Sequence, residues 1–230
     1  MRVLAFDSSG SGCSAAVVDE GGVLAHEFEA MVLGQAERLV PMIARAMEAA
    51  RLGFAELDCI AVTVGPGTFT GVRIGIAAAE GLALAAGRPV LGLTSFETVA
   101  AAVPEALLAG RRLVVALESR REELYLQAFD AACMPLAGGA LVPEAQWRSW
   151  VPAGPLALAG DGSARFAAAL GDFGIERAPG SGIPDAADLG RLALSRWLAG
   201  ARTPRLEPLY LRAPDTTLPA APVAAKERSP

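Results

Sequence analysis

The first thirty residues alternate between apolar and polar side chains. Three such runs, joined by turns rich in glycine and serine or acidic residues, read RVLAFD, SAAVVD and GVLAHEFEA. Alternation with a period of two is typical of strands that bury one face. The sequence therefore predicts an N-terminal meander of three β-strands.

A helical pattern follows this meander. From Gln35 to about Leu52, apolar residues recur every three or four positions and leave Arg and Glu on the opposite side. This spacing predicts an amphipathic helix. Pro41 lies inside the helix and removes the amide that would bond to the Glu37 carbonyl, so we expect a kink in the first two turns.

Strands and helices then alternate. The β-branched run LDCIAVTVG predicts a strand buried on both faces, and after the turn GPGTFTG a helix is expected from about Val72 to Ala86, ending at Gly87. The next run, PVLGLTSFETVAAAV, predicts a strand and a helix, with Thr94 and Glu97 at capping-box spacing. The order up to about residue 103 is therefore βββαβαβα.

The second half repeats this pattern in a weaker form. Strands are expected near Leu113 to Glu118, Leu124 to Asp130 and Leu156 to Gly160, and a helix from about Ala186 to Ala199. The last twenty residues are rich in proline and small side chains, which predicts disorder. We therefore expect an N-terminal lobe over residues 1–105, a smaller degenerate lobe over 106–210 and a disordered tail over 211–230.

The scarcity of histidine and lysine excludes several chemistries. His26 is the only histidine, and Lys226, in the predicted tail, is the only lysine. A histidine-dependent nucleophile, a helical histidine metal site, a Schiff base and a lysine-containing phosphate loop are therefore not expected. Cys13, Cys59 and Cys133 form no CxxC pair, which disfavours a zinc site and a disulfide framework.

Charge and hydropathy indicate which partners and which cell compartment to expect. The formal net charge of −5 does not favour direct binding to a phosphate backbone. No apolar run reaches the roughly 18 residues of a membrane span, and because the first strand is predicted to begin at Arg2 we expect no targeting leader. We expect a cytoplasmic protein that does not bind a membrane.

Several motifs occur in a recognisable order. They are FDSSGSGCSAAVVD, GQAERLVPMI, VTVGPGTFTGVRIGIAAAEGLALA, LESRREELYLQAFD, LAGDG and PLYLRAPD. A strand meander with DSSGSG in its first turn resembles the actin, sugar-kinase and Hsp70 type of ATPase fold. Within that superfamily the motifs resemble the TsaB family, also called YeaZ. The resemblance implies an α/β, two-lobed fold built from two degenerate copies of a βββαβα unit.

The resemblance also implies a function. TsaB proteins are non-catalytic scaffold subunits of the complex that makes threonylcarbamoyladenosine in tRNA, and they bind and activate the catalytic paralogue TsaD. A TsaE-like ATPase would join this pair, and tRNA would be bound only through the complex. The resemblance therefore implies no catalytic residue, metal or cofactor in this chain. Gln35 and Leu39 stand at the spacing where TsaD has two metal-binding histidines, and neither side chain suits iron or zinc.

The turn GPGTFTG allows two interpretations. As a phosphate-binding loop, the turn would lead into a helix whose free amide groups bind an anion. Asp7 would lie where this fold places a magnesium-associated carboxylate. Pro66 contributes no amide, which weakens this interpretation. A vestigial nucleotide site would comprise Asp7, Gly65, Gly67, Thr68 and Arg73.

As a contact element, the turn would open a helix with a stripe of small side chains that another helix can approach closely. From the spacing alone, that other helix is either the Gln35 helix of the same chain or a partner's. The family resemblance favours the partner, with self-association when the partner is absent, and we expect Gly75→Arg to abolish partner binding in a folded monomer. The interface candidates are Val40, Met47, Gly71, Ile74, Gly75, Ala78 and Leu82.

An enzyme of the same superfold is the alternative. A small ATP-dependent kinase would use Asp7 with the glycine-rich turn, and Asp161 or Glu118 would be its general base. A peptidase is disfavoured because a histidine pair is missing from the sequence. Glu118, Arg120 and Glu123 are otherwise expected to form a solvated hairpin turn.

Overall fold

The computed structural model describes residues 1–171 and 174–212. The first half contains β1 (Arg2–Asp7), β2 (Gly12–Asp19), β3 (Gly22–Ala30), α1 (Gln35–Ala50), β4 (Cys59–Thr63), α2 (Phe69–Ala86), β5 (Val90–Leu93), α3 (Ser95–Ala101) and α4 (Glu105–Leu108). The second half contains β6 (Arg112–Glu118), β7 (Leu124–Phe129), β8 (Ala140–Val142), α5 (Trp147–Trp150), β9 (Leu156–Ala159), α6 (Ser163–Leu170), β10 (Ile175–Arg177) and α7 (Ala186–Leu198).

These strands form two five-stranded sheets with the same topology. The first has the order β3-β2-β1-β4-β5 and the second the order β10-β9-β6-β7-β8. In the first sheet β1 pairs antiparallel with β2 and parallel with β4, and in the second β6 pairs antiparallel with β7 and parallel with β9. The second sheet is therefore a copy of the first, which confirms the predicted two-lobed α/β fold.

Alternating side chains on the central strands sort the helices into layers. Leu4 and Phe6 of β1 pack with α1 and α2 on the outer face of the first sheet, whereas Val3 and Ala5 pack with α7 on its inner face. In the second sheet one face packs with α3 and the other with α5 and α6. Helices α3 and α7 contact each other, so they join the two sheets.

Each half therefore contributes helical packing to the sheet of the other half. Helix α3 precedes the second sheet in the chain but packs on it, and α7 follows the second sheet but packs on the first. The division into lobes near residue 105 stays a prediction, because these two helices cross it. Leu211 and Arg212 belong to the described residues and contact the second lobe. The rest of the predicted tail, 213–230, lies outside the described residues.

The helix ends follow the sequence signals closely. Helix α2 begins at Phe69, slightly before the predicted start, because the Thr68 hydroxyl accepts the Gly71 amide and caps the first turn. It ends at Gly87, whose φ of 64° is left-handed as predicted. The predicted capping box at the start of α3 is also present, with Thr94 and Glu97 bonding to each other's backbone amides.

Among the helices of the described residues, α2 is long and apolar enough to cross a membrane when judged by length and composition alone. Its mean hydropathy is 1.4, and 22% of it is buried. A single helix of this kind is weak evidence for a membrane, because core helices have similar compositions. The buried side of α2 packs on β4 of the first sheet.

Candidate functional site

The glycine-rich turn lies directly against the β1–β2 turn. Both turns follow neighbouring parallel strands, β1 and β4, so they meet at the same edge of the sheet. The Thr68 amide donates to the Ser9 carbonyl at 2.7 Å, and the Ser8 hydroxyl donates to the Gly71 carbonyl at 2.9 Å. A Cβ at Gly67 would overlap the Ser9 carbonyl, and a Cβ at Gly71 would overlap the Ser8 carbonyl. The glycines are therefore needed for close packing within the chain.

Asp7 lies beneath these two turns with its carboxylate fully buried. Its Oδ1 accepts hydrogen bonds from the Ser9 hydroxyl at 2.7 Å, the Ser9 amide at 3.2 Å and the Thr63 hydroxyl. Oδ2 has no hydrogen-bond partner among the described residues. Burial raises the pKa of Asp7 to about 6, against the opposing effect of these hydrogen bonds. One oxygen of Asp7 thus holds the β1–β2 turn in place.

This packing favours a structural role for the turn over a phosphate cradle. The Thr68 and Gly71 amides already bond to the chain itself. Asp7, Gly65, Gly67 and Thr68 lie at the same sheet edge, and a vestigial nucleotide site formed by them stays a prediction. Arg73 instead stacks on Phe69 at 3.6 Å and donates from Nε to the Tyr210 hydroxyl at 3.0 Å.

The structure divides the interface candidates into two groups. Val40 is 59% exposed, and Ile74, Ala78 and Leu82 are half-buried at the edge of the first core. The other three, Met47, Gly71 and Gly75, are buried.

The expectation for the buried group is corrected. A Cβ at Gly75 would lie 3.1 Å from the Ser8 Oγ and 3.2 Å from the Val62 Cγ2. Gly75 thus faces the sheet and the β1–β2 turn of its own chain. Gly75→Arg would disturb the fold of the monomer, so it cannot test partner binding alone.

The outward face of α2 is exposed and largely apolar, with Glu80 as a charged neighbour, and α1 exposes charged as well as small residues. Leu84 of α2 is 87% exposed, and Ala77 and Gly81 are also exposed on this helix, as is Ala44 on α1. Apart from its own helix and its immediate neighbours, no described residue has an atom within 4 Å of the Cβ position at Gly81. Sequence periodicity missed Leu84 because α2 is apolar around most of its circumference, so spacing did not distinguish its inner from its outer side.

The β6–β7 turn is not the simple solvated hairpin that the sequence indicated. Arg120 donates to the Val32 carbonyl at 3.1 Å and to the Gly10 carbonyl at 3.4 Å, both in the first lobe. Glu123 pairs with Arg212 at 2.9 Å. The signal that could have revealed these residues is the concentration of charge in SRREE, although its partners are far away in the sequence.

The candidate general bases of a kinase are also engaged by the chain. Glu118 pairs with Arg165 at 2.7 Å, and burial raises its pKa. Asp161 accepts the Glu118 amide at 2.9 Å and the Ser11 hydroxyl at 3.4 Å, and burial likewise raises its pKa. These contacts give both carboxylates a structural role, and the bond from Ser11 to Asp161 joins the two lobes.

A cavity of about 300 Å³ lies between α3, the start of α6 and the segment before α7. Its polar lining includes Asp161, Arg177, Asp185 and Asp188. Asp185 also bonds to His26 of β3 at 2.9 Å and caps α7 through the Ala187 amide. The histidine thus lies on a strand, as predicted, and connects that strand to α7.

Comparison with known proteins agrees with this architecture. Residues 23–141 match the family model described as TsaD, tRNA N6-adenosine threonylcarbamoyltransferase. The chain is 36% identical to the tRNA threonylcarbamoyladenosine biosynthesis protein TsaB of Escherichia coli, over 54% of this chain and 53% of that protein. The match thus spans about half the length of this curated relative.

Solved structures extend the similarity to most of the fold. YeaZ from Pseudomonas aeruginosa superposes with a TM-score of 0.78 at 28% identity, covering 91% of this chain and 99% of that one. The ROK hexokinase from Thermus thermophilus has a TM-score of 0.52 at 15% identity, covering 85% of this chain and 100% of that one, which shows a shared fold. The chain therefore belongs to the TsaD-related family of proteins, and within it to the TsaB (YeaZ) group.

Proposed function

We propose that this chain is a non-catalytic subunit of the complex that forms threonylcarbamoyladenosine in tRNA, and that it binds and activates a TsaD-type catalytic paralogue through the exposed faces of α1 and α2. The assembly would transfer a threonylcarbamoyl group from its adenylate to the exocyclic amine of the tRNA adenosine. A TsaE-like ATPase would bind to this pair. With a net charge of −5, the chain would contact tRNA only through the complex.

The outward face of α2 is the observation that carries this proposal. Leu84 is 87% exposed in the last turn of the largely apolar helix α2, and the small exposed residues Ala77 and Gly81 lie on the same face. A contiguous exposed apolar surface on a folded protein usually marks a binding site. Glycine in a helix interior costs about 1 kcal/mol relative to alanine, and no packing within the described chain offsets this cost at Gly81. Close approach by a partner helix would offset it.

Family membership supports a paralogue as the occupant of this surface. Because the chain matches the TsaD family model over residues 23–141, which include α1 and α2, a TsaD-type protein is expected to have an equivalent helix pair. Two such pairs can pack face to face as four helices, with small side chains at the crossing points. Val40, Ile74, Ala78 and Leu82 would border this contact, and Leu84 would lie within it.

The contacts of the acidic residues support a non-catalytic role. Asp7, Glu118 and Asp161 each accept hydrogen bonds or ion pairs from the chain itself, and these contacts join turns of the fold. Catalysis would then be located in the paralogue, and this chain would supply a binding surface.

The interface can be tested with one matched pair of variants. Leu84→Glu places a charge on the proposed contact, and Leu198→Glu makes the same change at a position that is 63% exposed at the end of α7. We expect Leu84→Glu to weaken binding of the TsaD-type paralogue about 30-fold or more, the effect of losing a central interface residue worth about 2 kcal/mol. Leu198→Glu should bind as the unmodified chain does.

Calorimetry and gel filtration would measure both complexes, and circular dichroism would verify folding. Equal binding by the two variants would contradict the proposed surface. Absence of any complex with the unmodified chain would contradict the proposed partner. In the absence of the paralogue, self-association through the same face is expected, and Leu84→Glu should abolish it.

A further inference from the structure

The β6–β7 turn of the second lobe contacts the loop before α1 directly, and it also contacts the C-terminal segment that packs on the start of α2. We propose that the β6–β7 turn (residues 119–123) and the C-terminal strap (residues 203–212) form an interlobe latch that positions the N-terminal ends of α1 and α2. The latch consists of contacts within this chain and does not depend on the proposed function. Its consequence for partner binding rests on the proposed function, because α1 and α2 form the proposed binding surface.

Arg120 provides the contact to α1. Its guanidinium group donates to the Val32 carbonyl in the loop that leads into α1, and to the Gly10 carbonyl. The Gly10 carbonyl also accepts Nε2 of Gln35, the first residue of α1, at 3.4 Å. Arg120 has a left-handed backbone with φ of 61°. This conformation is unfavourable for a residue other than glycine and persists where the surroundings hold it in place.

The strap provides the contact to α2. Leu206 is buried in the core beneath α2, and the Leu209 amide donates to the Val64 carbonyl at 2.7 Å, at the end of β4. The Tyr210 ring packs on Phe69, the first residue of α2, with 5.0 Å between ring centroids, and its hydroxyl accepts Nε of Arg73. The strap therefore fixes the glycine-rich turn and the first turn of α2.

Both contacts converge on the β6–β7 turn. After Tyr210, Leu211 packs against the core of the second lobe. Arg212 then donates to Glu123 at 2.9 Å and to the Ser119 hydroxyl at 3.3 Å. Because Arg120 lies in the same turn, a shift of the second lobe would displace the starts of α1 and α2 together.

Hydrogen–deuterium exchange of the isolated chain tests the latch. Arg120→Gly removes the contact to the loop before α1 while tolerating the left-handed backbone, and Arg212→Ala removes the bonds that tie the strap to the β6–β7 turn. We expect exchange to become about fivefold faster at residues 31–38 in Arg120→Gly and at 64–72 in Arg212→Ala, the change expected from losing one net hydrogen bond. Slower or unchanged exchange at both segments would overturn the latch.

Two arginines of the same chain serve as matched controls. Arg51 also has a left-handed backbone, with φ of 56°, but lies at the opposite end of α1. Arg205 lies in the strap with an exposed side chain. Arg51→Gly and Arg205→Ala should leave exchange at both helix starts unchanged. If Arg120→Gly fails to fold in a thermal melt, Arg120→Lys keeps the charge but removes the forked guanidinium geometry.

Binding of the TsaD-type paralogue, measured on the same variants, separates the latch from the proposed function. Faster exchange with weaker binding supports both the latch and its coupling to the partner surface. Faster exchange with unchanged binding overturns the coupling. If the unmodified chain binds no paralogue, the proposed function fails, and the exchange result still decides the latch.

Discussion

Asp7 is a fully buried residue that can ionise, so the stability of the fold should depend on pH through its carboxyl group. Its pKa is raised to about 6 in the folded chain, against about 3.9 when unfolded. The folded state thus binds the proton more tightly than the unfolded state. Stability from this group is greatest below about pH 4 and is lost as pH rises to about 6, by at most about 3 kcal/mol, or two pKa units at about 1.4 kcal/mol each.

Replacing Asp7 with asparagine should remove this pH dependence. The asparagine oxygen can accept the same bonds from Ser9 and Thr63, and its amide does not ionise. We expect Asp7→Asn to lose no stability between pH 4 and pH 6 beyond what the rest of the chain loses, as measured by urea unfolding across that range. Asp19→Asn, at the half-buried end of β2, is the control and should keep the unmodified profile. The same pH profile in Asp7→Asn would contradict the assignment.

The sequence predicted the position of Asp7 but not its role. The end of the first strand was evident from the alternating pattern, and this fold can place a metal-associated carboxylate there. The bond from Thr63, 56 residues further along the chain, depends on β1 and β4 lying side by side. A local pattern contains no information about that pairing.

At the scale of single elements, two glycines of α2 should respond in opposite ways to the same substitution. Gly71→Ala places a Cβ against the Ser8 carbonyl, so we expect a loss of about 1–3 kcal/mol in the free energy of unfolding. Gly81→Ala places it in open space on the exposed side of the helix, so we expect a gain of about 1 kcal/mol or less.

Urea unfolding of the isolated chain measures both glycine variants. A shift of the two midpoints in the same direction would contradict the assigned inner and outer sides of α2. The proposed function adds that a larger side chain, in Gly81→Leu, should weaken binding of the paralogue while leaving the monomer folded.

The elements themselves were largely predictable, whereas their contacts were not. The boundaries of α1, the end of α2 and the capping box of α3 follow from local signals that the structure confirms. The contacts of the small residues of α2 did not follow from local signals. Gly71 and Gly75 pack on the β1–β2 turn and β4, which neither sequence interpretation included. Spacing shows that a close approach occurs, but it does not identify what approaches.

At the scale of the molecule, the repetition of strand order predicted two similar sheets. The exchange of α3 and α7 between the sheets was not predicted, because an apolar helix face indicates that a helix is packed but does not identify the sheet on which it packs. The contact from Arg120 to Gly10 spans 110 residues, and that from Arg212 to Glu123 spans 89. Such contacts appear only when the lobes are assembled, so the charged β6–β7 turn was interpreted as solvated.

We propose that this chain activates a catalytic paralogue and does not catalyse the reaction itself. The most direct test is threonylcarbamoyl transfer to unmodified tRNA in a purified mixture of the TsaD-type paralogue, the ATPase subunit and the synthase that supplies the adenylate, with this chain present or omitted. We predict that modification requires the chain, that Leu198→Glu supports it and Leu84→Glu does not, and that the chain alone shows no turnover. Equal modification without the chain, or turnover by the chain alone, would contradict the proposed role of a non-catalytic activator.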